Sequence, residues 1–164
     1  MKNERDAFWT FYHILEIIRD YHCPSLFGSL VSQVTLEVLV DRELPKVASH
    51  LRELGVDLAT VTTQWFLCML IKTISVHLVV KVWDFVLISK SDRPLILGAL
   101  SILSLKEKVI TSCDSTFDLI QILKSFELSS VLPKEFFGYF LEFCVKVPDD
   151  FYVLFRRGTQ VSHV

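Results

Sequence analysis

The sequence predicts an all-α fold of about seven to eight helices, and three observations support this prediction. Hydrophobic residues make up 51% of the 164 residues and charged residues 22%, a balance typical of a folded chain with its own core. Apolar side chains recur at spacings of three and four residues along most of the chain. The five prolines stand where such segments begin or end.

Charge and composition exclude several classes of function. The formal net charge is −2 and the isoelectric point is about 6.2, with no run of five or more like charges. A nucleic-acid-binding surface needs a basic excess, so the sequence predicts no nucleic-acid partner. The first residues, MKNERD, contain no apolar segment of the kind found in a secretory signal.

The mean hydropathy of +0.43 is high, so a membrane-spanning segment has to be considered. A spanning helix needs about 20 predominantly apolar residues. The longest apolar run, 65–88, is interrupted by charged side chains at Lys72 and Asp84. The run Pro94–Leu105 has only 12 residues. The sequence therefore predicts no transmembrane segment and a cytoplasmic location with peripheral recruitment to membranes through partners. It also predicts an apolar face that a protein partner covers.

The four cysteines predict free thiols and no disulfide framework. They lie at positions 23, 68, 113 and 144, far apart in sequence and without a CxxC pair. The pair His22-Cys23 has no partner at the spacing of a zinc site among the other histidines. The sequence therefore predicts a reducing compartment, no metal-binding residue and no cofactor.

The first predicted helix covers Glu4–Tyr21 and has a broad apolar face, which we expect to be buried. Proline at position 24 ends it, and residues 23–31 form a connection. The residues of the apolar face are Phe8, Trp9, Phe11, Tyr12, Ile14, Leu15 and Ile18.

Two shorter helices follow, at Gln33–Leu44 and Lys46–Leu54. Pro45 stands at the first position of the second one, where its missing N–H does no harm. Gly55 is expected to close it, because glycine adopts the left-handed conformation of a helix C-cap without strain.

The segment Trp65–Ile74 is expected to be the central, most buried helix, with Thr62 or Thr63 as its N-cap. The next helix carries an apolar stripe at helical spacing. A strand over residues 78–83 stays open as an alternative, because valine is β-branched and favours strands. The stripe consists of Val79, Val82, Trp83 and Val86.

Three more helices are predicted before the end of the chain, at Pro94–Cys113, from Ser115 onwards, and at Lys134–Val145. We expect residues 1–150 to form one domain and residues 151–164 a tail, whose last part, Arg156–Val164, frays. The expected core residues of the last two helices are Phe117, Ile120, Leu123, Leu128, Phe136, Phe137, Phe140, Leu141 and Cys144.

Five short motifs occur in a specific order and spacing. Together, over about residues 4–128, they resemble the C-terminal half of a TBC domain, the domain of Rab GTPase-activating proteins. The resemblance implies an all-helical fold, a Rab-type small GTPase as partner and a role in membrane traffic. The motifs are Ala7-Phe8-Trp9, Leu44-Pro45 with His50-Leu51, Gly55-Val56-Asp57-Leu58, Thr62 through Cys68, and Val82-Trp83-Asp84.

The family acts through an arginine finger in an IxxDxxR motif and a glutamine finger in a YxQ motif. The arginine neutralises charge that develops at the γ-phosphate, and the glutamine orients the attacking water. This chain contains neither motif, and the nearest match, Ile17–Cys23, ends in Cys23 where arginine is needed. We therefore expect a TBC-related regulator that is not an enzyme and has no catalytic residue of its own.

Other residues have both a functional and a structural interpretation. Arg19 is interpreted as a solvated side chain and not as a replacement finger, and Gln64 as structural. Asp84 is interpreted as satisfying a neighbouring group and not as a GTPase contact. Trp65, Phe66 and Trp83 are expected in the core. The alternative function is a non-catalytic helical interaction module, while no local Ser/His/Asp or Cys/His signature supports an independent enzyme.

Overall fold

The computed structural model describes residues 3–124 and 133–162, and every regular element within them is helical. The all-α prediction is confirmed. The strand alternative for residues 78–83 is wrong, because they lie inside α5. The elements are α1 Glu4–Ile17, a 3-10 helix Arg19–Tyr21, α2 Phe27–Glu43, α3 Pro45–Glu53, α4 Ala59–Leu67, α5 Val76–Ser89, α6 Arg93–Leu105, α7 Glu107–Thr111, α8 Thr116–Lys124, α9 Pro133–Lys146 and α10 Asp149–Ser162.

Helix α6 is the centre of the fold. Every residue from Arg93 to Leu103 is buried, and α6 contacts α2, α4, α5, α7 and α9. Its sequence is apolar on all sides, as a fully surrounded helix requires. Gly98 allows the Leu70 side chain to lie against the α6 backbone, since a Cβ at position 98 would be 2.8 Å from Leu70 Cδ1.

The expected central helix Trp65–Ile74 is wrong, because α4 ends at Leu67. Met69 and Leu70 then adopt left-handed backbone angles, with φ of 49° and 65°. The backbone N–H of Leu70 donates to the Trp65 carbonyl at 2.7 Å, and the Trp83 indole N–H donates to the Met69 carbonyl at 3.1 Å. These hydrogen bonds satisfy the Leu70 N–H and the carbonyls of Trp65 and Met69, which would have had helical partners if α4 continued.

The expected N-cap of this helix is also wrong. The hydroxyls of Thr62 and Thr63 lie inside α4 and donate to the carbonyls of Leu58 and Ala59. Asp57 supplies the capping carboxylate, which accepts the Ala59 N–H at 2.8 Å.

Helix α2 begins at Phe27, six residues before the expected start at Gln33, and packs closely on the preceding 3-10 helix. A Cβ at Gly28 would lie 2.7 Å from Tyr21 Cδ1 and 2.8 Å from the Asp20 carbonyl carbon. The absence of a side chain at Gly28 therefore allows Tyr21 to pack against α2.

We expect Gly28→Ala to lower the free energy of unfolding by about 1–3 kcal/mol, because the Asp20 backbone has to move. The matched control is Gly138→Ala in α9, where a new Cβ meets no atom within 4 Å. That change removes a helical glycine and should stabilise by about 0.5–1 kcal/mol. Urea unfolding measures both, and equal effects at the two positions would contradict the packing argument.

The single helix expected over Pro94–Cys113 is broken at Lys106 into α6 and α7. The break allows α7 to pack on α3 and to bury Ile110. In α8, Ser115 caps as expected and accepts the Asp118 N–H at 3.4 Å, but Phe117 is exposed. The expected core residue Leu128 lies outside the described residues.

The C-terminal region also departs from expectation. Phe136 and Phe140 of α9 are buried as predicted, whereas Leu141 is exposed. The tail that was expected to fray from Arg156 onwards is helical as far as Ser162 within the described residues, and Arg156 pairs with a buried carboxylate. The division into a domain 1–150 and a tail 151–164 stays a prediction.

Candidate functional site

An aromatic strip on α1 is the most prominent exposed apolar feature of the family motifs. It consists of Phe8, Trp9, Phe11 and Tyr12, which are 61%, 48%, 44% and 42% exposed. These residues were expected to be buried. The expectation is wrong because α1 packs mainly on α5 and buries only Ile14 along its length.

The strip is ordered by contacts among its own rings. Phe8 and Trp9 meet edge to face with centroids 5.4 Å apart, and Trp9 and Tyr12 do so at 5.7 Å. The Tyr12 hydroxyl donates to Glu16 Oε1 at 3.1 Å, and this bond to a carboxylate raises the pKa of Tyr12. A contiguous apolar surface of this kind is typical of a site where another protein surface packs.

The structure does not bring the candidate residues of the motifs together. Arg19 lies in the 3-10 helix, Gln64 on α4 and Asp84 on α5, and all three are exposed. Within the described residues, no side-chain hydrogen bond or ion pair involves any of them, so Asp84 does not satisfy a neighbour as expected. Trp65 and Phe66 are buried as predicted, and Trp83 is partly buried.

Cys23 occupies a small polar turn after the 3-10 helix. Its thiol donates to the Asp20 carbonyl at 3.0 Å and lies 3.1 Å from the Ser25 hydroxyl. The Ser25 hydroxyl bonds to the sulfur and lowers the pKa of Cys23. All four cysteines are free thiols. In residues 3–124 and 133–162, no group of three or more His, Cys, Asp or Glu side chains is arranged to hold a metal ion.

A buried polar cluster, absent from the sequence analysis, connects distant parts of the chain. We call it the Asp92 cluster: Tyr21, Ser32, Asp92, Tyr152 and Arg156. The Tyr21 hydroxyl donates to Asp92 Oδ2 at 2.8 Å, and the Tyr152 hydroxyl donates to Asp92 Oδ1 at 2.8 Å. The Arg156 guanidinium pairs with the same carboxylate. A single aspartate in a polar connection was the only sign of it in the sequence.

Burial and the nearby Asp92 carboxylate raise the pKa of Tyr21 and of Tyr152 well above the usual value near 10. A raised folded-state pKa gives stability that is complete below the unfolded pKa and is lost as pH rises through it towards the folded value. We expect the free energy of unfolding to fall above about pH 10, by about 1.4 kcal/mol per pH unit for each tyrosine. Replacing both by phenylalanine should remove this part of the slope. Urea unfolding between pH 9 and 11 measures it, and an unchanged slope would contradict the assignment.

Arg93 ties the start of α6 to the end of α9. Its Nε donates to the Val147 carbonyl at 2.8 Å, an Nη2 donates to the Cys144 carbonyl at 2.8 Å, and Nη1 lies 3.0 Å from Asp149 Oδ1. The guanidinium thus satisfies carbonyl groups at the C-terminal end of α9. Its positive charge also interacts favourably with the negative end of the dipole of that helix. Arg93 therefore has a structural role, which is to join α6 to α9.

The family described as Rab-GTPase-TBC domain matches residues 1–111, which run from α1 to the end of α7. This chain belongs to the Rab-GTPase-TBC family. The resemblance expected from the five motifs is confirmed, and Rab-type small GTPases are the partners that the family implies.

Individual TBC proteins show the same similarity. TBC1 domain family member 2A from Homo sapiens is 32% identical over 128 residues, which is 77% of this chain and 14% of that protein. TBC1 domain family member 2B from Xenopus tropicalis is 28% identical over 76% of this chain and 13% of its own length. Growth hormone-regulated TBC protein 1 from Homo sapiens is 27% identical over 74% of this chain and 36% of its own length. This TBC chain thus spans a minor part of the length of these relatives. No solved structure matches it.

Membership in the Rab-GTPase-TBC family corrects one prediction. The chain was expected not to be an enzyme, but the family consists of Rab GTPase-activating proteins, which act as enzymatic activators of GTP hydrolysis. The prediction was wrong because it equated two missing sequence motifs with a missing class of activity. Among the described residues of this TBC chain, no helix has the length and apolar character to cross a membrane.

Proposed function

We propose that this TBC chain serves the activation of GTP hydrolysis by a Rab-type GTPase, and that it contributes the scaffold and a GTPase-binding surface. The family match over residues 1–111 carries the proposal. The sequence contains neither IxxDxxR nor YxQ, so we further propose that both fingers come from sequence outside these 164 residues. The location we propose is cytoplasmic, with recruitment to membranes through the bound GTPase.

The aromatic strip supports a second part of the proposal. Phe8 and Trp9 belong to one of the motifs that carry the resemblance, yet 61% and 48% of their surfaces are exposed. Burial of apolar surface stabilises by about 25 cal/mol per Å². We propose that another protein surface, from a partner or from further TBC sequence, covers the strip when the chain functions.

The test is a panel of Rab GTPases incubated with the full chain. We expect the chain to bind at least one GTP-loaded Rab more tightly than the same Rab with GDP. We expect any acceleration of hydrolysis to stay well below the roughly 10³-fold or more of an arginine finger. Binding is measured by surface plasmon resonance and hydrolysis by phosphate release.

Two results would overturn parts of this proposal. Acceleration of about 10³-fold or more would show that the chain has its own finger, and the variants Arg19→Ala and Gln64→Ala would then identify it. Absence of binding to every Rab would contradict the GTPase-binding role and favour the alternative, a non-catalytic interaction module. The variant Phe8→Ser with Trp9→Ser should bind less of a hydrophobic dye than the unchanged chain, with an unchanged free energy of unfolding. Unchanged dye binding would contradict the exposure of the aromatic strip.

A further inference from the structure

One face of α2 is apolar, exposed and not covered by any described element. Leu26, just before the helix, is 40% exposed, Leu30 is 52% exposed and Val38 is 38% exposed. With the partly buried Val34, they repeat every four residues and therefore form one continuous stripe along the helix. Exposed apolar residues occur singly on most surfaces, but a regular stripe is typical of a binding face.

A groove follows this stripe. Its first part is a cavity of about 370 Å³ between α2 and the start of α4, with mainly apolar walls. Its second part is a cavity of about 250 Å³ between α2, α3 and the segment before α4. Glu37 lines both, so the two cavities are neighbours, and we call them together the α2 groove. The residues that matter for its chemistry are Phe27, Leu30, Val34, Ala59, Glu37, Asp41 and Asp57.

The α2 groove changes from apolar to acidic along its length. The second cavity is lined by the carboxylates of Glu37, Asp41 and Asp57 and, among the described residues, by the guanidinium of Arg52, so three negative charges and one positive charge give −2. Arg52 is already paired with Asp41. Asp57 is engaged as the cap of α4.

Glu37 is the carboxylate of the α2 groove that has no partner among the described residues. Within the described residues it forms no hydrogen bond or ion pair, although it stands one helical turn before Asp41. Partial burial, together with the charges of Asp57 and Asp41, raises the pKa of Glu37. A cation placed at this end of the groove would relieve like-charge repulsion that the protein itself leaves uncompensated.

We propose that the α2 groove binds an amphipathic helical segment of another protein, with apolar side chains at four-residue spacing and a lysine or arginine at one end. The apolar side chains lie against Leu30 and Val34, and the cation lies against Glu37. Leu26 to Glu37 spans three turns of α2, about 16 Å at 1.5 Å per residue, which matches a short helical peptide. The charge complementarity selects a basic segment over an acidic one. This proposal does not depend on the proposed function.

The experiment uses the full chain and three fluorescein-labelled synthetic helical peptides of about 15 residues. Two peptides carry leucines at four-residue spacing with three lysines in either the first or the last turn, because the polarity of binding is not fixed by the groove. The third has glutamates in place of the lysines. We expect saturable binding, followed by fluorescence anisotropy, for at least one lysine peptide and none for the glutamate peptide.

The variants locate the site. We expect Leu30→Asp and Glu37→Gln each to weaken binding about tenfold or more, since each removes a contact with the apolar or the charged part of the peptide. The control Val109→Asp replaces an exposed valine on α7, 43% exposed, and should leave affinity unchanged. Both groove positions are exposed, so unfolding curves should stay close to that of the unchanged chain.

Three outcomes would overturn the proposal. The first is no saturable binding of either lysine peptide. The second is equal binding of the lysine and glutamate peptides, which would show that charge plays no part. The third is binding that resists both Leu30→Asp and Glu37→Gln or that Val109→Asp weakens equally, which would place the contact elsewhere on the chain.

Discussion

Asp92→Asn is expected to lower the free energy of unfolding by about 3–5 kcal/mol, the typical cost of removing one partner from a buried ion pair. Asp92 is 8% exposed and Arg156 is 17% exposed at the side chain, so the guanidinium would lose its counterion in a poorly solvated place. The asparagine amide would also place an NH₂ group where one carboxylate oxygen now accepts a hydrogen bond from Tyr21 or Tyr152, so a donor would face a donor. Urea or thermal unfolding measures the change.

Controls separate the charge from the position. Asp84→Asn on α5 makes the same chemical change at an exposed site and should stay within about 0.5 kcal/mol. The double variant Asp92→Asn with Arg156→Met removes the unpaired charge and should be less destabilised than the sum of the single changes. Strict additivity, or a loss below about 1 kcal/mol for Asp92→Asn, would contradict the pairing.

Phe140→Ala is expected to cost about 3–5 kcal/mol, because it opens a cavity where α9 packs on the central helix α6. Phe140 is fully buried, and its ring centroid lies 5.1 Å from that of Phe85 and 6.2 Å from that of Phe136. The neighbouring Leu141 is 55% exposed. Leu141→Ala is therefore the matched control, with an expected effect within about 0.5 kcal/mol.

Comparable losses for Phe140→Ala and Leu141→Ala would contradict the orientation of α9. Thermal unfolding followed by circular dichroism is sufficient to compare the two, since a difference of about 3 kcal/mol shifts the midpoint by many degrees in a domain of this size. A loss confined to Phe140→Ala would support the burial of its side of the helix.

These two neighbours also show how far the sequence can predict the fold. Helical periodicity placed both Phe140 and Leu141 in the core, and only one is there. The same periodicity placed Phe8 and Trp9 on a buried face of α1, but both are exposed, because periodicity does not show whether another element covers that face. A pattern identifies which side chains share a face, whereas burial depends on which other elements reach that face.

Other features depended on contacts that are remote in sequence. Asp92 lies 71 residues from Tyr21 and 64 residues from Arg156, so the sequence alone showed only a polar connection. The turn after α4 uses left-handed backbone at Met69 and Leu70, which are not residues that usually signal such a turn. By contrast, Pro45 and Gly55 marked the limits of α3 correctly, because proline and glycine act through local backbone geometry.

The Asp92 cluster has a consequence for truncation. Two of its members, Tyr152 and Arg156, follow the last residue matched by the family, while Tyr21, Ser32 and Asp92 precede it. A shortened chain that stops at residue 111 or 150 would retain the Asp92 carboxylate but lose two of its hydrogen-bond donors, Tyr152 and Arg156. The carboxylate would then need hydration in place of these partners, and burying it without them is unfavourable. We therefore expect the cooperative folding unit to extend from Tyr21 to at least Arg156. Expression of a chain cut at the family boundary should then yield an insoluble or partly unfolded product.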